Sequence, residues 1–275
     1  MTSDSNCLRS ASALRITKST SQDSLRNEAL AEEKPLNIIL KNHGSLGITL
    51  CSPQNLEDLV IGFLFTSGII DQTNDIEKIK WQSNGNCEVS LKSTSDLPSS
   101  SQNLLSHSAC GTCRFESLEG LPTSQTFWNL PPIPKYKFFD WFDELHNSQP
   151  KFRLSGGLHA SALFSPKMGL INIREDIGRH NSLDKLIGSL LKQEERYRFS
   201  DTVLLLSGRA GFELLQKAAR SGISIVAAIG APSFLALELA RKFGITLIGF
   251  LREERFNVYS HANRIEGSEY EIKDA

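Results

Sequence analysis

Three runs near the carboxyl end constrain the fold more than anything else in this chain. Residues 203–206, 223–228 and 245–251 are short, apolar and rich in branched side chains, the composition of strands buried on both faces of a parallel sheet. Amphipathic stretches at 212–220 and 233–242 lie between them, closed by Gly222 and Gly244, and a glycine just past the last turn is a common helix stop. Strand–helix–strand–helix–strand at this spacing predicts a doubly wound α/β unit. In such sheets ligands bind beyond the carboxyl ends of the strands. Those ends carry Ser207-Gly208-Arg209, Gly230-Ala231-Pro232-Ser233 and the segment from Arg252 to Tyr259, so all three are expected on one edge. The first two lead directly into helices, whose N-terminal N–H groups and dipole favour an anion such as a diphosphate, with Arg209 adding a charged contact. The simpler alternative is that the glycines only make tight strand-to-helix turns. The chain has no G-x-x-x-x-G-K-[ST] run, which argues against a P-loop nucleotidase.

The preceding residues read as a smaller α+β part. Strands are expected at 36–40 and 47–50 around Asn42-His43-Gly44. A helix then opens at Ser52-Pro53, carries Leu56, Leu59, Val60, Phe63 and Leu64 on one face, and stops at Gly68. A hairpin follows at 76–81 and 86–91 around Asn84-Gly85. Helical spacing returns at 138–145, and strands at 157–164 and 170–173 are joined through Ser165-Pro166-Lys167-Met168-Gly169. Glu175, Asp176, Arg179 and His180 form a polar cluster entering a helix at 182–192, read either as acid–base groups or as an ion network capping that helix. His159, in an apolar strand, reads as a hydrogen-bonded core histidine. Residues 1–34 hold no aromatic side chain and balance five basic against five acidic ones. The expectation there is a disordered tail, unable to offset its ordering entropy by burial. The implied organisation is a tail at 1–34, an α+β part at 35–134 and an α/β part at 135–275.

Two of the five cysteines sit two residues apart, in Ser108-Ala109-Cys110-Gly111-Thr112-Cys113-Arg114, within a long polar stretch expected to be a loop. A C-x-x-C pair serves as half of a zinc site, as a redox dithiol or as a sulfur-carrying thiol, and it can also be inert. A structural zinc site takes four ligands, and Cys7, Cys51 and Cys87 stand alone in the sequence. A thioredoxin-like dithiol would follow a strand and open a long helix; here a polar run precedes the pair, and Gly120 and Pro122 follow within ten residues. Cys51 and Cys87, in or beside strands, are expected to be buried and inert, and Cys7 to be incidental. Forty per cent hydrophobic and 22% charged residues describe an ordinary soluble protein. A net charge of −1 argues against a nucleic-acid partner, and no apolar run reaches the roughly 18 residues of a membrane span. An odd number of irregularly spaced cysteines points to a reducing cytoplasm rather than a disulfide framework.

Taken with the runs SGGLHASAL, NIREDIGRHNSLDKLIG, LLLSGRAGFELLQKAARSGI, AAIGAPSFLALELARKFGITLIGFLR and RFNVYS, the motif SACGTCR resembles the FdhD (NarQ-like) sulfur carrier family, accessory to formate dehydrogenase. The resemblance extends from about residue 35 to about residue 265. It implies a cytidine-deaminase-like three-layer α/β fold, a homodimer, and a sulfurtransferase that takes sulfur from a cysteine desulfurase. It further implies delivery of that sulfur to the molybdenum of bis(molybdopterin guanine dinucleotide), for which GDP is a fragment mimic, before insertion into formate dehydrogenase. The family's persulfide cysteine falls on Cys110 and its second cysteine on Cys113. The family's cofactor segment falls on Phe256, Asn257, Val258, Tyr259, Ser260 and His261. Zinc deaminase chemistry is disfavoured: that signature is H-x-E with a later P-C-x-x-C, whereas His159 is followed by Ala160-Ser161 and Ala109 stands where the proline would be. The competing classes are a zinc-holding or dithiol redox enzyme and a cofactor chaperone that carries no sulfur.

Overall fold

The structure, a computed structural model, describes residues 7–18, 23–83, 85–93, 126, 128–193 and 199–268. The apolar runs near the carboxyl end form β9 (Val203–Leu206), β10 (Ile225–Ala228) and β11 (Thr246–Gly249), paired in parallel and linked by α5 (Phe212–Arg220) and α6 (Phe234–Phe243). Three antiparallel strands extend the sheet: β7 (His159–Ser165) beside β9, β8 (Gly169–Asp176) beyond it, and β12 (Asn257–Ser260) beside β11. The order is therefore β12-β11-β10-β9-β7-β8.

Alternation along the strands builds two cores. Leu204, Leu206, Val226, Ala228 and Leu247 pack with α5, α6 and α4 (Arg179–Leu191). Val203, Leu205, Ile225, Ala227 and Ile248 pack on the opposite face with Phe138, Trp141 and Leu145 of α2 (Tyr136–Asn147). Helices thus cover both faces. Both crossovers lie on one side, because β9, β10 and β11 advance in one direction and each right-handed connection returns on the same face; α2 supplies the other cover.

A second sheet, in the order β4-β3-β6-β5, contains β3 (Lys34–Leu40), β4 (Gly44–Cys51), β5 (Ile76–Trp81) and β6 (Asn86–Leu91). Leu36, Ile38, Leu40, Leu46 and Val89 pack on α1 (Leu56–Thr66). This helix begins after Asn55, which has φ 51°, rather than at Ser52-Pro53; the Ser52 amide is instead bound to the Asp176 carboxylate at 3.0 Å. Two glycines let α1 and α4 meet backbone to backbone. A Cβ on Gly62 would lie 1.8 Å from the Asp184 carbonyl oxygen, and one on Gly188 1.9 Å from that of Asp58.

The expectation of a disordered tail over residues 1–34 is corrected for 8–15 and 24–31, which form the antiparallel pair β1 (Leu8–Arg15) and β2 (Ser24–Ala31). Cross-strand ion pairs Arg9–Glu32 at 2.7 Å and Arg15–Glu28 at 2.9 Å line it. Cys7, read as incidental, is 1% exposed, and its carbonyl accepts the Glu32 amide at 2.7 Å. The pair is anchored where β2 meets α3 (Pro150–Ser155), a short helix that the sequence reading passed over.

Candidate functional site at the carboxyl edge of the sheet

Because β7 and β12 run against β9, β10 and β11 while β8 runs with them, one edge of the six-stranded sheet gathers the ends of β8 to β11 and the starts of β7 and β12. It carries His159, Asp176–His180, Ser207–Arg209, Gly230–Ser233 and Asn257. The N-termini of α4, α5 and α6 begin there. Several backbone groups of the turns are already used. The Gly230 amide donates to the Gly208 carbonyl at 2.8 Å, Ala210 to Ala231 at 3.2 Å, and Ser233 to Ala210 at 3.0 Å. Among the described residues, the amides of Gly208, Arg209, Gly211 and Ala231 donate to no backbone carbonyl. The glycines first serve close packing: a Cβ on Gly230 would sit 2.8 Å from the Arg209 backbone, and one on Gly208 3.3 Å from His159 Nδ1. The turns thus combine close backbone approach with N–H groups that donate to no backbone carbonyl.

Charge at this edge is unevenly compensated. Arg179 Nε is buried with no hydrogen-bond partner among the described residues, a state that costs free energy unless an acceptor arrives. Burial pushes the His159 imidazole below its ordinary value, and the positive charges of Arg179 and Arg209 add to that effect. The reading of His159 as a core histidine is only half met, since it is half-buried. His180 Nε2 lies 2.6 Å from Glu213 Oε2, joining the first turns of α4 and α5.

Of the two readings given for the 175–180 cluster, the ion network describes Asp176. Its Oδ1 accepts the Gly178 amide at 2.8 Å and Asn181 Nδ2 at 3.2 Å, and its Oδ2 lies 2.5 Å from Lys185 Nζ. Lys185 also donates to the Ser52 carbonyl at 2.9 Å. This buried lattice sets the position of the α4 N-terminus and hence of Arg179 and His180.

The structure separates the segment 256–261, the stretch that the resemblance assigns to the cofactor and that the sequence reading, through Tyr259, placed on one edge with Ser207, Gly208 and Arg209. Phe256 and Asn257 are at that edge, and the Phe256 ring is engaged with Phe138 and Phe139 at 5.3 and 5.4 Å. Val258 and Tyr259 pack toward opposite cores. Ser260 is buried at the other end of β11, donating to the Ile245 carbonyl at 2.7 Å, and the His261 carbonyl accepts Thr246 Oγ1 at 2.8 Å. The reason is that β12 crosses the sheet antiparallel to β11 and so spans both edges. The sequence reading did not single out Phe250, which follows β11 with φ 54° and is 42% exposed, its amide held by the Gly230 carbonyl at 3.2 Å. Positive φ at an aromatic residue has no sequence signal.

Cys110 and Cys113 lie outside the described residues. Cys51 and Cys87 are fully buried, and burial pushes each thiol up to about 12, so neither is a nucleophile near neutral pH. Burial also raises Cys7.

A family model described as the FdhD/NarQ family matches residues 31–266. The chain belongs to that family. Proteins named "Sulfur carrier protein FdhD" are similar to it over most of its length. That of Saccharolobus solfataricus is 36% identical over 241 residues, covering 87% of this chain and 91% of the relative. That of Picrophilus torridus is 38% identical over 243 residues, with 85% and 90% covered, and that of Streptomyces coelicolor 37% over 258 residues, with 88% and 90% covered. A crystal structure described as a formate dehydrogenase accessory protein from Desulfotalea psychrophila superposes with a TM-score of 0.73 at 25% identity, covering 94% of this chain and all of that one. The SACGTCR motif falls within the family match, and the hairpin β1–β2 precedes nearly all of it. No described helix is long and apolar enough to cross a membrane.

Proposed function

We propose that this chain carries sulfur on Cys110 and passes it to a molybdenum cofactor, bis(molybdopterin guanine dinucleotide), bound through its diphosphates at the carboxyl edge. In the first step the Cys110 thiolate attacks the terminal sulfur of a desulfurase persulfide. A new S–S bond forms at Cys110, the donor's S–S bond breaks, and the desulfurase cysteine leaves as thiolate. Cys113, two residues on, assists transfer or release. The protein acts in the cytoplasm as a homodimer between a cysteine desulfurase and formate dehydrogenase. The cofactor is cargo, and the part this chain plays at the edge is to supply positive charge and N–H donors to its diphosphates.

The observation that carries the anion reading is the buried Arg179 Nε, without a partner among the described residues, at the same histidine, His159, as Arg209, together with the amides of Gly208, Arg209, Gly211 and Ala231 that donate to no described backbone carbonyl. The names of the relatives support the sulfur step. The test is mass spectrometry of the protein after incubation with a desulfurase and cysteine. The wild type should gain one sulfur, about 32 Da per atom transferred, and Cys110→Ala should gain none while keeping its melting temperature. An undiminished adduct in Cys110→Ala would remove the proposal.

A further inference from the structure

The opposite edge of the six-stranded sheet holds a cavity of about 430 Å³ lined by Thr126, Trp128, Asn129, Leu130, Pro132, Asn263 and Arg264. Its walls are tied to the fold. Thr126 Oγ1 donates to the Phe243 and Gly244 carbonyls at 2.9 and 2.7 Å, and Ile133 and Arg264 are joined backbone to backbone at 2.8 Å. Trp128 Nε1 donates to the Pro131 carbonyl at 3.3 Å, which restrains its ring. Arg264 is anchored from behind, Nη1 donating to the Ser224 carbonyl at 2.7 Å.

This arginine lacks a counter-charge: no carboxylate of the described residues lies within ion-pair distance. Burial alone lowers its pKa from the usual value, which is what a partly desolvated cation without an anion shows. Asn129 and Asn263 are exposed at the rim, and no described side chain or backbone group hydrogen-bonds their amides. A primary amide offers both donors and an acceptor, matching the mixed edge of a heterocycle. The indole of Trp128 with Leu130 and Pro132 supplies an apolar wall for a flat ring. The volume is too large for a bare oxyanion and within the range of small organic ligand sites.

We propose that this cavity is a second ligand site, for a planar heterocycle bearing an anionic group and of mononucleotide size, with the anion on Arg264 and the ring against Trp128. It is separate from the edge where Arg179 and Arg209 stand.

The test uses the full chain, titrated by calorimetry with AMP, GMP and inorganic phosphate. At least one mononucleotide should bind saturably, and phosphate at least about ten-fold more weakly. Asn263→Asp places a carboxylate at the rim without touching the anchors of Arg264. It should weaken the mononucleotide by about ten-fold or more and leave the melting temperature and Cys110 loading unchanged. Arg264→Gln should do the same to binding, whereas Arg209→Ala at the other edge should leave it as it was. The proposal is overturned if neither mononucleotide binds, if phosphate binds as tightly, or if binding survives Asn263→Asp but is lost in Arg209→Ala.

Discussion

Replacing Lys185 with Met tests whether the buried lattice at the start of α4 holds the two sheets and the candidate site in register. The Lys185 and Asp176 side chains are both 0% exposed, with Nζ 2.5 Å from Oδ2. Methionine keeps roughly the length of the side chain and removes the charge, leaving the Asp176 carboxylate buried with three neutral donors: the amides of Ser52 and Gly178 and the Asn181 side chain. Removing one partner of a buried pair costs about 3–5 kcal/mol, because the remaining charge is uncompensated. For a chain of this size that corresponds to a fall of about 6–20 °C in melting temperature. The companion change Asp176→Asn removes the stranded charge while retaining one oxygen to accept the Gly178 amide. The double variant should therefore be less destabilised than the sum of the singles, by about 1–3 kcal/mol of coupling. Urea unfolding of the four proteins measures each corner of the cycle. The reasoning is refuted if Lys185→Met unfolds within about 1 kcal/mol of wild type, or if the two changes are simply additive.

Arg209→Ala, compared with Arg209 in an Asn263→Asp background so that the second cavity does not contribute, should weaken GDP by roughly 1.5–3 kcal/mol; equal calorimetric affinities would make Arg209 a turn residue only. His159 and His261 are both depressed below their unfolded values, chiefly by burial. The unfolded chain therefore binds their protons first, and their contribution is present in full above about pH 6.5 and lost as pH falls through the folded values. Urea midpoints should fall on acidification and fall less in His159→Gln; an unchanged pH slope in that variant would reject the assignment. A chain starting at Glu33 loses β1, β2 and the burial of Cys7, and should unfold about 1–2 kcal/mol sooner than the full chain; an unaltered melting temperature would mean that the hairpin docks without stabilising the rest.

The runs at 203–206 and 212–220 were legible to the residue as β9 and α5, and 76–81 with 86–91 as β5 and β6, because strongly apolar or alternating segments leave one periodicity in place. What escaped was decided by partners distant in sequence. The start of α1 shifted by several residues because the Ser52 amide and carbonyl are committed to Asp176 and Lys185, more than 120 positions away. The N-terminal hairpin was missed for a related reason. Its composition is that of a solvated chain, and apart from Cys7 its side chains are exposed or half-buried. Its order comes from ladder pairing, ion pairs and the support of α3 beneath β2, none of which hydropathy records.

The candidate site was legible in the same uneven way. Parallel strands fix the direction of their carboxyl ends once they are recognised, so Ser207, Gly208 and Arg209 could be placed at an edge from the sequence. Reading strand direction for residues after β11 needs the pairing partner, and β12 turns back. A segment of six residues then links two chemically different ends of one sheet: Asn257 stands by the turns with open amides, and His261 stands beside the Arg264 cavity. The Thr246 hydroxyl ties these elements at the second end, donating to the His261 carbonyl while lying 3.5 Å from Arg264 Nη1. A ligand that displaced His261 would therefore be felt at Arg264 through two hydrogen bonds, whereas one at Arg209 would have to act along a whole strand, most directly β10, which runs from the Ser224 carbonyl that holds Arg264 to the Gly230 turn against Arg209. Coupling through β11 and β12 passes the Thr246 hydroxyl, so substitution at Thr246 separates that route from the one through Ser224 and β10.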